Sequence, residues 1–114
     1  MGTRLTYVIK FVADMDAAIA FHRDVLGLPV KFATPFWTEL ATGDTTLALH
    51  PASDKNPAGT AQVGFGVDDV DAFYADKSAA GLEFLSPPTP LHGVRIAALR
   101  DCEGAEIRVS GSPG

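Results

Sequence analysis

Four polar side chains of different chemistry lie in strand-like segments of the chain, two of them in the segments predicted to pair around an aromatic residue. Glu39 and His50 accompany Trp37, and Gln62 and Arg108 lie in later strand-like segments. A carboxylate, an imidazole, a carboxamide and a guanidinium each offer hydrogen bonds or charge to a ligand. Aromatic walls with a few polar groups are the usual composition of a small-molecule site. These residue types therefore indicate small-molecule binding.

Strand alternation assigns these side chains to one face, because successive side chains of a strand point to opposite sides. Leu47 and Leu49 are expected to pack on a helix, and Ile107 and Val109 to do the same in the last strand. The opposite, inward face is then predicted to carry Tyr7, Phe11, Trp37, Glu39, Ala48, His50, Gln62, Gly64 and Arg108. Folding back the turn after Ala41 pairs Glu39 with Ala48 and Trp37 with His50. In the strand before the last turn, Arg95, Ala97 and Leu99 are expected to face inward.

A repeat determines which elements position these side chains. Val12–Leu28 has a weaker copy in Val67–Leu82, at an offset of 55 residues from Val12 to Val67. Asp14, Asp16 and Ala17 recur in the copy, and both segments end in Gly-Leu. A repeat of this length predicts two similar modules.

Each module is predicted to have the order βαβββ, which makes the fold α+β. The first helix is expected to be capped by Asp14 or Asp16 and to end at Gly27, with Phe21 buried and His22 at its flank. We expect a single domain over 1–114, with modules 1–50 and 61–110 and a linker at 51–60. The segment 86–93 carries three prolines and is predicted to be a loop.

Composition excludes several classes of protein. The net charge of −5 argues against nucleic acid as a partner, since phosphate binding needs a basic face. No apolar run approaches the roughly 20 residues that span a bilayer, so no membrane partner is expected. A single Cys cannot form an internal disulfide, and no signal peptide is evident. These features predict a cytoplasmic location.

Two segments resemble the vicinal-oxygen-chelate superfamily, which includes glyoxalase I, bleomycin-resistance proteins and extradiol dioxygenases. Asp14-Met15-Asp16 with Phe21–Leu28 is similar to the first-helix signature of that superfamily, with His22 at the usual tyrosine position. Asp101–Ile107 is similar to its last-hairpin turn, with Cys102 at the proline position. The resemblance implies two modules with a pseudo-twofold repeat, forming an incurved sheet with a ligand site on its concave face.

The resemblance also implies where a metal ion would be held. Metal-dependent members use four inward side chains, at positions that fall here on Tyr7, Ala48, Gln62 and Arg108. A methyl group cannot bind a cation, and a guanidinium repels one. Without two carboxylates the site lacks the anionic field that a hard dication needs. We therefore expect no metal, no cofactor and no catalytic residue at the standard site.

The expected function is that of the antibiotic-binding branch of the superfamily. Such a protein sequesters a small aromatic or cationic molecule, an antibiotic or natural product, without chemistry, and is typically a homodimer. The alternative is a glyoxalase-like lyase or dioxygenase with a relocated divalent metal, bound through His50, Glu39 and His92. A third hypothesis is a regulatory or assembly subunit whose ligand is another protein.

Several of these residues also have a purely structural interpretation. Trp37 is either a pocket wall or a core tryptophan, and His50 is either a ligand contact or a strand-end histidine in water. His92 lies at the edge of a pocket or in a solvated loop. Arg108 is expected to pair with Glu39 or Glu106 or to bind an anion. Cys102 is expected to be exposed and inert.

Overall fold

The computed structural model describes residues 2–91 and 93–112. His92, predicted at the edge of a pocket, lies outside these residues. The chain divides into two compact units. The first unit is Thr6–Gln62, and the second unit comprises the described residues before Thr6 and after Gln62.

Each unit contains four strands and one main helix, in the predicted order βαβββ. The elements of the first are β1 Arg4–Val12, α1 Met15–Ala20, a π-helical turn Phe21–Val25, β2 Val30–Ala33, β3 Thr38–Ala41 and β4 Thr46–Pro51. Those of the second are β5 Ala61–Gly66, α2 Val70–Ala79, β6 Phe84–Leu91, β7 Val94–Arg100 and β8 Glu106–Gly111. The predicted α+β class is confirmed.

In the first unit the strands lie in the order β2-β3-β4-β1. β1 and β4 are parallel, whereas β3 is antiparallel to both β2 and β4. Val12, Leu40 and Leu49 form a buried cluster against Met15, Ala18, Ile19 and neighbouring apolar side chains including Leu47. The predicted facing of Leu47 and Leu49 is therefore confirmed, and β4 presents its alternate residues to the opposite face.

The first helix begins as predicted but does not continue as a regular α-helix. Asp14 Oδ1 accepts a hydrogen bond from the Ala17 N–H at 3.1 Å and caps α1. From Phe21 the helix widens into a π turn, in which the Leu26 N–H bonds to the Phe21 carbonyl. His22 follows Ala18 and Ile19, which pack on the core, by four and three residues, so it continues their helical face. Phe21 is 48% exposed and His22 only 6%, so the predicted burial of Phe21 and flank position of His22 are wrong.

The second unit repeats this architecture with the strand order β5-β8-β7-β6. Asp69 Oδ1 caps α2 by accepting from the Ala72 N–H at 3.0 Å, as Asp14 does for α1, 55 residues earlier. Its core cluster is Val67, Val70, Ala97, Leu99 and Val109, packed by Phe65, Phe73, Phe84 and Ile107. The outward facing predicted for Ile107 and Val109 is confirmed.

Two expectations about β6 and β7 are wrong. Ala97 and Leu99 belong to the helix-side cluster, because they pair with Val109 and Ile107 across the antiparallel β7–β8 ladder. Arg95 also turns toward α2, where its guanidinium donates two hydrogen bonds to Asp71.

The predicted loop 86–93 is instead mostly strand, because β6 runs on to Leu91. β6 is the terminal strand in the order of the second unit and pairs with β7. An edge strand tolerates proline, because the missing N–H is needed only on the paired side. The pairing also shifts register twice between Phe84 and Thr89, which accommodates Pro87 and Pro88.

None of the helices in residues 2–91 and 93–112 combines the length and apolarity that crossing a bilayer requires.

Candidate functional site

An aromatic cluster covers the face of the first unit opposite α1. The Tyr7 and Trp37 ring centroids are 6.1 Å apart, and those of Trp37 and His50 are 6.2 Å apart. The ring of Phe11 lies edge-on to His50 at 5.5 Å. Ile9, Phe11 and the completely buried Ala48 form the base of the cluster, against which Tyr7 and Trp37 pack. We call Tyr7, Phe11, Trp37, Glu39 and His50 the aromatic face.

A single turn, from Thr34 to Trp37, fixes the entry of Trp37 onto this face. Thr34 Oγ1 accepts hydrogen bonds from the Phe36 and Trp37 N–H groups, at 3.2 and 2.8 Å. The Thr34 N–H and hydroxyl both donate to the Trp37 carbonyl. This compact turn leaves Phe36 at 74% exposure while it directs Trp37 toward Tyr7 and His50. Trp37 is thus partly buried, on the face away from α1.

Glu39 is held within the aromatic face by two neighbours. Its pairing with Ala48 is as predicted. Oε2 accepts a hydrogen bond from Trp37 Nε1 at 2.9 Å, and Oε1 lies 3.6 Å from Lys31 Nζ. Lys31 also donates to Thr46 Oγ1 at 3.1 Å. The side chain of Glu39 is only 12% exposed, so these contacts supply polar partners that water would otherwise provide.

The pKa of Tyr7 depends on both its burial and the charge of Glu39. Burial raises the pKa of its phenol above the ordinary 10.0, and the negative charge of Glu39 raises that pKa further. Each effect disfavours the phenolate. Tyr7 therefore presents a neutral hydroxyl at physiological pH, able to donate or accept a hydrogen bond.

We expect Glu39→Gln to lower the pKa of Tyr7 toward 10.0 without reaching it, since burial persists and only the charge is removed. Tyrosinate absorbance during alkaline titration measures this in a Tyr74→Phe background, where Tyr7 is the single tyrosine of the sequence. In the wild type the folded-state pKa exceeds the unfolded one, so the stability linked to Tyr7 is present below about pH 10 and declines as the pH rises through the folded value. An unchanged pKa of Tyr7 in Glu39→Gln would show that the charge of Glu39 does not raise it.

His50 is exposed but its ring is fixed on one side. Its Nδ1 lies 2.8 Å from the Pro51 carbonyl oxygen. Because a carbonyl can only accept, Nδ1 is the donor in this bond. The ring also packs edge-on to Phe11 and Trp37. His50 is therefore both the strand-end histidine in water and part of the aromatic face.

Arg108 lies in the second unit, on the face of β8 opposite the α2 cluster. It pairs with Gly64 across β5 and β8, and its Nη2 lies 3.4 Å from Glu106 Oε2. Of the two partners predicted for Arg108, the structure pairs it with Glu106. Among the described residues, the buried Arg108 Nε has no hydrogen-bond partner. In the first unit, the buried Gln62 Oε1 has none within the described chain either.

The residues predicted for a site divide into three groups. Those that the structure brings together are Tyr7, Phe11, Trp37, Glu39 and His50. Gly64 and Arg108 belong to the second unit, Gln62 is the last residue of the first unit, and His92 lies outside the described residues. Lys31 was not predicted. The Cys102 thiol is free and exposed, as expected.

The side chains at the positions implied for a metal do not fit one. Ala48 is completely buried and has no donor atom. The raised pKa of Tyr7 opposes the phenolate form that would bind a cation, and Arg108 carries a permanent positive charge. Of the four, only Gln62 offers a carbonyl oxygen. Within residues 2–91 and 93–112, no three His, Cys, Asp or Glu side chains are grouped so that they could hold a metal ion.

Comparison with known proteins defines the family. Residues 4–109 match the model of the Glyoxalase/Bleomycin resistance protein/Dioxygenase superfamily, and the chain belongs to that superfamily. It is also 30% identical over 118 residues to the Bacillus subtilis protein named Uncharacterized protein YurT, a match that covers 87% of this chain and 91% of that protein. The predicted membership is confirmed.

Solved structures of the same fold include proteins with and without an assigned activity. A hypothetical protein from Bacillus halodurans has a TM-score of 0.85 at 15% identity, covering 100% of this chain and 97% of that one. A methylmalonyl-CoA epimerase variant from Streptomyces coelicolor, in complex with 2-nitronate-propionyl-CoA, has a TM-score of 0.82 at 25% identity. The match covers 97% of this chain and 95% of that one. These likenesses support the fold.

Proposed function

We propose that this protein binds and sequesters a small aromatic molecule, in the manner that the bleomycin-resistance branch of its superfamily implies. The observation that carries the proposal is the aromatic face of the first unit. Tyr7, Trp37 and His50 there present rings at 6.1 and 6.2 Å spacing over a buried base. Stacking on such rings contributes about 1 kcal/mol beyond burial.

The polar groups of the face favour binding over metal-assisted chemistry. A lyase or dioxygenase of this superfamily would require a divalent ion, and the side chains at Tyr7, Ala48 and Arg108 are unsuited to one. A relocated ion would need Glu39, which Trp37 and Lys31 already engage. The homodimer, the cytoplasmic location and the absence of a cofactor belong to this proposal as predictions.

Trp37 is the only tryptophan and reports directly on its own surroundings. We expect saturable quenching of its fluorescence by bleomycin, a cationic molecule with aromatic rings. Free N-acetyltryptophanamide, titrated in parallel, corrects for absorption by the probe. Binding at 100 times Kd stabilises the fold by about 2.7 kcal/mol, so a rise in Tm must accompany the quenching.

A second probe separates the proposal from an enzymatic function like that of the epimerase neighbours. Methylmalonyl-CoA is an anionic thioester, and we expect it to leave both Trp37 fluorescence and Tm unchanged at concentrations where bleomycin saturates. Saturable binding of methylmalonyl-CoA with no response to bleomycin would contradict the proposal. Stoichiometric Zn, Mn, Fe or Ni in protein purified without chelator would contradict it as well.

A further inference from the structure

The aromatic face carries an acceptor nitrogen on His50 to which none of the described residues donates, and its position restricts the class of ligand. We propose that the face selects planar heteroaromatic ligands that carry an N–H donor at the ring edge, and that His50 Nε2 receives that hydrogen. This inference rests on the proposed small-molecule binding and specifies the chemistry of the ligand. It also makes His50 the residue that determines specificity.

The tautomer of His50 follows from its backbone contact. Nδ1 lies 2.8 Å from the Pro51 carbonyl oxygen, which can only accept, so Nδ1 carries the hydrogen. In a neutral imidazole the other nitrogen then has a lone pair and no hydrogen. His50 is exposed, and none of the described residues forms a hydrogen bond with Nε2. Nε2 is therefore an acceptor that a ligand can reach.

Glu39 is the charged acceptor of the face, and both of its carboxylate oxygens already contact neighbouring donors. One carboxylate oxygen accepts from Trp37 Nε1 at 2.9 Å, and the other faces Lys31 Nζ at 3.6 Å. The ammonium of Lys31, itself held by Thr46 Oγ1, offsets the charge that would attract a cationic ligand. Lys31 and Glu39 thus orient the indole, and the ligand must find its polar partner elsewhere.

The spacing of the rings places His50 beside the indole of Trp37, on which a ligand would stack. The His50 and Trp37 centroids are 6.2 Å apart, and their planes are inclined by 79°. Phe11 lies at 5.5 Å on His50, inclined by 72°, and supports the imidazole. A ligand of two fused rings is long enough to contact the indole and reach the imidazole with one edge.

Theophylline and caffeine form a matched pair of probes, because they differ only in an N–H of theophylline that is methylated in caffeine. At pH 8 we expect theophylline to quench Trp37 with a Kd about five-fold lower than that of caffeine, the effect of one net hydrogen bond. In His50→Asn the amide can keep the donor to the Pro51 carbonyl but has no atom at Nε2, so the preference should disappear. His50→Gln supplies an acceptor near the Nε2 position and should recover part of it.

The outcomes separate this inference from the proposed function. If bleomycin binds but theophylline and caffeine bind equally, or neither binds, the inference is wrong and the proposed function stands. A theophylline preference that survives in His50→Asn also overturns it. If no probe binds, both fail. Imidazole ¹⁵N chemical shifts provide a measurement that does not depend on ligand, and a hydrogen on Nε2 rather than Nδ1 of His50 would overturn the inference directly.

Discussion

Gly111→Ala is expected to destabilise the protein by about 2 kcal/mol or more, because a Cβ at this position has no room. It would lie 2.3 Å from the Val67 carbonyl oxygen and 3.1 Å from Val70 Cγ2. The first neighbour is backbone and cannot rotate away, and the Val67 N–H is bonded to the Ser110 carbonyl at 2.9 Å. The end of β8 must therefore separate from the residues that lead into α2. Urea unfolding followed by circular dichroism measures the loss of unfolding free energy.

Gly2→Ala is the matched control for this change. A Cβ at Gly2 would meet nothing within 4 Å, so its unfolding free energy should stay within about 0.5 kcal/mol of the wild type. Equal stability of the two variants would show that β8 can shift away from Val67 at little cost. Val70 is 1% exposed and belongs to the core of the second unit, which leaves little space for such a shift.

The order of elements could be predicted from the sequence because local signals and the repeat agree. Asp14 and Asp69 each cap a helix through the same side-chain bond, at the offset that the repeat indicates. The faces of β4 and β8 could also be predicted, since Leu47, Leu49, Ile107 and Val109 alternate regularly with smaller or polar residues. Agreement between propensity, capping and patterning is what specifies a fold.

Two of the wrong predictions concern a buried polar residue in the first helix and a proline-rich edge strand. His22 lies on the same helical face as Ala18 and Ile19, four and three residues before it, and is buried although it is polar. His22 is accommodated because its Nδ1 lies 2.7 Å from the Ala18 carbonyl oxygen. The three prolines of β6 predicted a loop, although an edge strand tolerates proline. The sequence does not reveal which strand lies at an edge.

Lys31 illustrates why the site was only partly predictable. The register of β2 against β3 shifts between Val30 and Phe32, so simple alternation does not assign a face to Lys31. Its contact with Glu39 depends on that irregularity and on the neighbouring Thr46. By contrast, the pairing of Glu39 with Ala48 needs only the hairpin turn, and it was predicted.

Trp37→Ala is expected to have the largest effect on the aromatic face, on both stability and binding. It removes the ring that contacts Tyr7 and His50, and it leaves the Glu39 carboxylate, 12% exposed, without its indole donor. Truncation of a buried tryptophan costs about 3–5 kcal/mol, and the partial exposure of Trp37 places the expected loss at about 2–3 kcal/mol. Affinity for bleomycin should fall at least ten-fold, as measured by isothermal titration calorimetry, since the fluorescent reporter is lost.

Two further variants test the contribution of the Trp37 N–H and that of the neighbouring residue in the turn. Trp37→Phe keeps an aromatic surface but removes the indole N–H that donates to Glu39. It should therefore retain part of the binding and lose about 1–2 kcal/mol of stability. Phe36→Ala changes the adjacent, 74% exposed side chain and should leave stability within about 0.5 kcal/mol of the wild type. If Trp37→Ala bound bleomycin as tightly as Phe36→Ala, the ligand would lie away from the indole. The aromatic face would then be structural packing, held in place by Glu39 and Lys31.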